Sequence, residues 1–286
     1  REGEAVSEKR LASDVNWMNS NPFRQVNAVF TPGKERGETD LVLKVNDRFP
    51  LRFYGGYEDS GNDLTGDERF LMGFNWGNAF LLDHQLNYQF TGDSDMDKIT
   101  AHSGSYVIPL PWHHRLTFFG SYAETKADIA NPLFNLNGRS WQASSRYAVP
   151  LPGIGKFSHE VSAGFDFKQS NNNLEFGGAN VFNTTTEVAQ WLASYNSQLA
   201  DPLGKTSLGT TVFWSPGLWT PRNRDVNFQA SRAFSSAEYV YGQLTVERLT
   251  KLPEDFSWMA KGTYQWADSN LLGSEQLGAD GYSSVR

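Results

Sequence analysis

From residue 50 onward the chain alternates. In 85–90, Leu86, Tyr88 and Phe90 share one face while Gln85, Asn87 and Gln89 share the other. In 69–76, Phe70, Met72, Phe74 and Trp76 oppose Arg69, Gly73 and Asn75. Val161, Ala163, Phe165 and Phe167 alternate with Ser162, Gly164, Asp166 and Lys168; Trp258, Ala260, Tyr264 and Trp266 alternate with Lys261, Thr263 and Gln265. A period of two, with one apolar and one polar face, predicts β-strands. Eleven are predicted, at 50–59, 68–79, 82–93, 97–109, 113–127, 138–150, 156–169, 184–198, 205–215, 237–249 and 255–268. Most are longer than the five or six residues (roughly) of sandwich strands. Ten or so tilted, alternating residues reach across a bilayer.

The aromatics sharpen that expectation. Tyr54, Trp76, Tyr106, Trp112, Trp214, Trp219, Trp258 and Trp266 stand near strand ends, as in interfacial girdles. Short links are expected at 77–83, 109–112 and 150–153, and longer polar ones at 60–67, 93–98, 128–137 and 170–183. Short turns at one rim and long loops at the other fit an outer-membrane barrel. Single-chain bacterial barrels close with an even number of strands, so eleven implies a piece of a longer protein, cut at both ends.

Ahead of the strands the period is helical. Ser7 is placed as the N-cap of a helix over 7–19, with Leu11, Val15 and Met18 on one face and Asn21-Pro22 as its stop. Strands at 26–30 and 41–45 flank a turn-rich 31–34. This half-sized module is short of core on its own. The run 21–24 is either a helix stop or a domain joint.

Composition excludes several classes. The 286 residues carry 25 Lys+Arg against 32 Asp+Glu, a net charge of -7, which argues against phosphate-backbone binding. There is no cysteine, so disulfides, thiolate metal sites and cysteine nucleophiles are out. Mean hydropathy is -0.51 although 14% of residues are aromatic, which suits alternating strands and not disorder. No apolar run is long enough for a membrane-spanning helix, and no charged-then-apolar leader opens the chain. His113 and His114 are adjacent, so on a strand they point to opposite faces; no metal site is assigned. No Gly-x-Ser-x-Gly elbow stands in a strand–turn–helix context, so no catalytic residue is assigned and the chain is expected not to be an enzyme.

An ordered set of motifs then carries a family resemblance. The run 11–24 (Leu-Ala-Ser-Asp-Val-Asn-Trp-Met-Asn-Ser-Asn-Pro-Phe-Arg) resembles the last periplasmic POTRA domain of two-partner secretion translocators, the TpsB-type haemolysin and adhesin secretion proteins. Phe30-Thr31-Pro32-Gly33, 37–41, 47–50, 55–61, 73–78 and Pro109-Leu110-Pro111-Trp112 continue it in order. The last residues, 274–286, resemble the start of the family's lumenal loop, which normally continues as Val-Arg-Gly-Tyr/Phe; here Ala279-Asp280-Gly281 stands where the family usually has a glycine pair.

The resemblance implies an all-β transmembrane barrel, with about eleven of an expected sixteen antiparallel strands present, preceded by the end of a small α+β POTRA domain. The expected boundaries are 1–47 for the POTRA part and 48–286 for the partial barrel, ending in the lumenal loop Gly281, Tyr282, Ser283, Ser284, Val285 and Arg286. Arg286 corresponds to the loop arginine that pairs with an acid on a strand beyond this chain. Arg52, Tyr54, Asn75, Gln85, Asn87, Gln89, Asp166, Lys168, Lys261 and Gln265 would line a wet lumen. The POTRA edge, at Val26, Ala28, Phe30, Leu41 and Leu43, would capture substrate by strand addition. The implied function is export of an unfolded exoprotein with an N-terminal secretion domain, from periplasm to surface, through the outer-membrane lipid. No cofactor, nucleic acid or small-molecule substrate is expected. An assembly insertase of the same superfamily, a passive pore and a soluble β-sandwich binding protein stand as alternatives.

Overall fold

The computed structural model describes residues 6–35, 37–62, 65–127, 134–176 and 179–278. Helix α1 (Glu8–Met18) starts where expected, with the Ser7 hydroxyl accepting from the Arg10 N–H. The hairpin β1 (Arg24–Pro32) and β2 (Thr39–Asp47) forms a separate two-stranded sheet.

The remaining strands form one antiparallel sheet in which every neighbour in space is a neighbour in sequence. They are β3 (Leu51–Asn62), β4 (Gly66–Ala79), β5 (His84–Gly92), β6 (Ile99–Pro109), β7 (Arg115–Ala127), β8 (Phe134–Ile154), β9 (Phe157–Phe176), β10 (Ala179–Asp201), β11 (Gly204–Pro216), β12 (Glu238–Lys251) and β13 (Ser257–Ala267). The eleven segments seen in the alternation are these eleven strands.

The elements differ from expectation in several places, beginning with the link expected at 60–67, which is strand up to Asn62 and again from Gly66. Strands β8, β9 and β10 run to 21, 20 and 23 residues, so the polar link expected at 170–183 is strand up to Phe176 and again from Ala179. Pairs such as Arg139 with Asn171 and Gln169 with Glu187 keep the ladder going through polar sequence, because backbone hydrogen bonds need no side-chain alternation. The turn expected at 150–153 is likewise strand, since β8 continues through Pro150 to Ile154. The link expected at 128–137 ends at Phe134, where β8 begins, and its first six residues lie outside the described residues. The longest described connection is instead 217–237, which contains a short helix, α2 (Asp225–Ser231), absent from the sequence reading.

Opposed residues on neighbouring antiparallel strands share a face. One row runs Arg52, Asn75, Asn87, Ser105, Phe119, Ser144, Asp166, Gln190 across β3 to β10. The next row along, on the opposite face, runs Leu51, Trp76, Leu86, Tyr106, Phe118, Ser145, Phe165, Trp191, Trp214. The apolar face is left open: Phe53, Met72, Phe118, Trp191, Val212, Trp214, Val246, Tyr264 and Trp266 are all exposed. Soluble monomers rarely expose contiguous apolar patches beyond a few hundred Å² (roughly). The buried apolar cluster lies on the polar side instead. There Val188, Tyr239, Tyr241 and Phe213 of the sheet meet Phe228 of α2 and Leu271 and Leu272 after β13.

Candidate functional site

The polar row is a hydrogen-bonded ladder. The Arg52 guanidinium donates to the Asn75 carbonyl at 2.7 Å, Asn75 to Asn87 at 2.7 Å, and Asn87 to the Ser105 hydroxyl at 3.0 Å. Tyr54 crosses to Gln89 at 3.1 Å and lies over Gly73, where a Cβ would come within 2.6 Å of its ring. All ten residues expected to line a lumen, Tyr54 among them, stand on this one face. Gln85 and Gln89 are two positions either side of Asn87; Lys261 joins through Glu247, Ser207 and Gln198 to Ser158, and Gln265 through Gln243.

On β8 to β13 the face carries a charged cluster. Asp166 accepts from Arg146 at 2.7 Å and from the Ser144 hydroxyl at 2.6 Å. Lys168, next on the same face, donates to both oxygens of Glu275, at 2.9 and 3.0 Å. Glu275 lies after β13, in a 3₁₀ turn (Gly273–Glu275), and is only 2% exposed. It also accepts from the Gln190 amide at 3.0 Å and the Tyr241 hydroxyl at 2.9 Å. The Gln190 carbonyl accepts from the Tyr239 hydroxyl at 2.8 Å. The Gln265 amide donates to the Glu275 backbone carbonyl at 2.8 Å. Two carboxylates thus meet two cations, and each buried polar group is bonded, as a low-dielectric site requires.

The arrangement is a latch. Strands β9, β10, β12 and β13 each hold the 271–278 segment through one side chain. The apolar cluster around Phe228 backs it, with Phe213 and Tyr241 stacked at 4.4 Å between centroids. Arg232, just past α2, donates to the Leu271 carbonyl. The segment and α2 together cover part of the wet face.

Alternation had placed Asp166, Lys168 and Gln265 on this face; it missed Arg146, Gln190, Tyr239, Tyr241 and Glu275. Continuing the parity of Gln243 and Thr245 back along β12 brings Tyr241 and Tyr239 to the wet face, a signal present in the sequence. The expected loop residues Gly281, Tyr282, Ser283, Ser284, Val285 and Arg286 lie outside the described residues.

The small module offers a second feature. Pairs Val26–Val45, Ala28–Leu43 and Phe30–Leu41 stand directly opposed in the hairpin. Val26, buried, has its N–H bonded to the Asn19 side-chain oxygen at 2.6 Å and its carbonyl to the Asn19 amide at 3.0 Å. Its peptide groups therefore point away from β2, and by the antiparallel alternation so do those of Ala28, Phe30, Leu41 and Leu43. Asn19 already occupies the edge at Val26; β2 is exposed along its length.

The module is clasped to the sheet. The Asn21 amide donates to the Gly77 carbonyl at 2.7 Å and to Asp83 at 2.9 Å, and Arg24 grips Asp83 with two donors at 2.8 and 3.2 Å. The Phe23 ring covers Gly77 so closely that a Cβ there would lie 2.0 Å from it. Trp17 stacks on His113 at 5.2 Å between centroids. The run 21–24 thus both ends the helix and makes the joint.

Residues 37–286 match the model of the family described as haemolysin secretion/activation protein ShlB/FhaC/HecB. No curated protein matches the chain significantly. Among solved structures, CdiB from Escherichia coli superposes with a TM-score of 0.86 at 16% identity, over 100% of this chain and 53% of that one. BamA from Haemophilus ducreyi, in a form lacking POTRA domains 1-3, gives 0.59 at 12% identity, over 100% and 55%. CdiB from Acinetobacter baumannii gives 0.56 at 17% identity, over 99% and 61%. The chain spans little more than half the length of these structures, and at such identities the likeness is one of fold.

Proposed function

The chain belongs to the haemolysin secretion/activation family, and from that membership we propose that it works in an outer-membrane translocator of the TpsB type. Its cargo is a large exoprotein carrying an N-terminal secretion domain, moved unfolded from periplasm to cell surface. The strands span the membrane with the apolar face to lipid and the polar ladder to a water-filled lumen. The amino-terminal module is the end of a periplasmic POTRA domain, with residues 1–47 in it and 48–286 in the barrel part. Its free β2 edge, at Leu41 and Leu43, is where strand addition by cargo meets least obstruction.

The observation that carries this reading is the family match over a sheet with one continuous wet face and one open apolar face. No covalent chemistry is involved. The wet face presents hydrogen-bonding groups to a passing chain, and the Glu275 latch keeps the conduit covered at rest. Arg286 would pair with an acid on a strand beyond this chain.

The test is genetic. Deleting the gene should abolish surface appearance of a large exoprotein encoded beside it while other outer-membrane proteins keep their levels. Unchanged secretion would refute the translocator. General loss of outer-membrane proteins would point to the assembly insertase, the reading that the fold likeness to BamA also accommodates.

A further inference from the structure

The β4–β5 turn carries three bulky apolar residues that stay largely exposed in the described protein. Phe80, Leu81 and Leu82 are all exposed, Leu81 at 86%. Phe80 and Leu81 hold φ of 57° and 61°, the left-handed region that side chains of this size avoid. Glycine or asparagine would serve a plain surface turn better on both counts. The same four-residue turn ends in Asp83, the carboxylate that Asn21 and Arg24 clasp.

The turn is continuous with the apolar face of the sheet. Phe80 packs against Trp76 at 5.0 Å and Tyr106 at 6.4 Å between centroids, both on that face. At the same end of the sheet, aromatic pairs have a polar handle: His84 with the Tyr106 hydroxyl at 2.6 Å, His114 with Tyr147 at 2.6 Å and His159 with Tyr195 at 3.2 Å. Rings that are apolar in body and polar at the tip mark the level where hydrocarbon gives way to headgroups. The other turns at this end are also tipped with exposed apolar residues: Trp112, Ile154, Leu203 and Phe256.

We propose that Phe80, Leu81 and Leu82 seat in the glycerol and upper acyl region of the periplasmic phospholipid leaflet, so that one turn is anchored in lipid and, through Asp83, holds the amino-terminal module. The proposal rests on the outer-membrane reading above. A lipid leaflet is favoured over a protein partner because the turn prolongs the face that the strands turn to the membrane. Its consequence is mechanical: the module's orientation is referred to the membrane plane through the β4–β5 turn, beside the Trp17–His113 contact at the β6–β7 turn.

The 286 residues hold no cysteine, and any cysteine elsewhere in the full-length protein is first replaced by serine, so that each label reports one position. The experiment uses the full-length protein in phosphatidylcholine vesicles, with an environment-sensitive NBD label at Leu81→Cys, at Val246→Cys in mid-strand on the apolar face, and at Lys34→Cys in the β1–β2 hairpin. Expected at position 81 are a blue-shifted emission, quenching by lipids with a doxyl group near the headgroup, and resistance to aqueous iodide. Position 34 should be quenched by iodide alone. If 246 reports lipid while 81 is quenched by iodide like 34, the anchor is refuted and the spanning reading stands. Protection of 81 from both quenchers would mean a protein contact and also overturns it. If 246 itself shows no lipid, the spanning reading fails and the anchor with it.

Discussion

Glu275 is a carboxylate with almost no access to water, held by side chains from three strands, while Gln265 of a fourth holds its backbone carbonyl. Removing one partner of a buried pair costs ~3–5 kcal/mol, because the other charge is left uncompensated. Glu275→Gln should fall toward the lower end, since Lys168 keeps partial access to water. Combining it with Lys168→Met should recover part of the loss, and a double-mutant cycle on thermal unfolding in detergent measures the coupling. The single variant should also expose 268–278 to protease before the sheet unfolds. Gly77 makes the complementary point at the joint. Its lack of a side chain is what lets Phe23 lie on the strand. Overpacking of this kind costs about 1–3 kcal/mol. Gly77→Ala should therefore loosen the module, seen as faster proteolysis within 19–50, while heat-modifiable gel mobility of the strand part is unchanged.

Alternation placed all eleven strands because each has one polar and one apolar face along most of its length. A direct test uses neighbours on β12. Val246 faces the apolar side and Thr245 the wet side, paired with Thr263. Val246→Arg should cost ~2–4 kcal/mol if the residue sits near the bilayer midplane. Thr245→Arg should be tolerated, and folding yield into vesicles against urea reads the difference. The pattern failed where that asymmetry ends. In 170–173 the residues on both faces are polar, so strand and loop look alike in sequence, yet the β8–β9 and β9–β10 ladders continue. At ~3.3 Å per residue, strands of 20 residues and more are longer than a ~30 Å hydrocarbon core, so on the spanning reading their far ends would stand in water with no apolar face to announce them. Helix α2 was missed for another reason: at seven residues it shows no periodicity, and Phe228 acquires its role from Val188 and Tyr239 on other strands. The Glu275 cluster is a long-range object in the same sense: apart from the adjacent Ser274, its partners stand 10 to 107 positions away, so no local motif could carry it.

For the molecule as a whole, the latch and the clasp sit at opposite ends of the sheet. The module meets the β4–β5 and β6–β7 turns, and the 271–278 segment rejoins the wet face from the far end of β13. On the proposed function, cargo passing along the polar face has to displace the segment held by Glu275, which can leave without breaking a strand of the sheet. Its bonds to Lys168, Gln190 and Tyr241 are all side-chain bonds, individually worth ~0.5–1.5 kcal/mol net for neutral pairs and ~1.5–3 for charged ones. The buried side chains of Leu271 and Leu272 and the Arg232 bond to the Leu271 carbonyl add to that hold. With any cysteine outside these 286 residues first replaced by serine, a bridge gives a sharp test. Lys168→Cys with Glu275→Cys, joined by a short reducible bis-thiosulfonate bridge, fixes the segment to β9. Export of the partner exoprotein and single-channel conductance should both fall on bridging and return on reduction, measured against the unbridged double variant. Export that continues at full rate through the bridged form would mean that cargo passes without moving the segment, and that the latch is a structural brace.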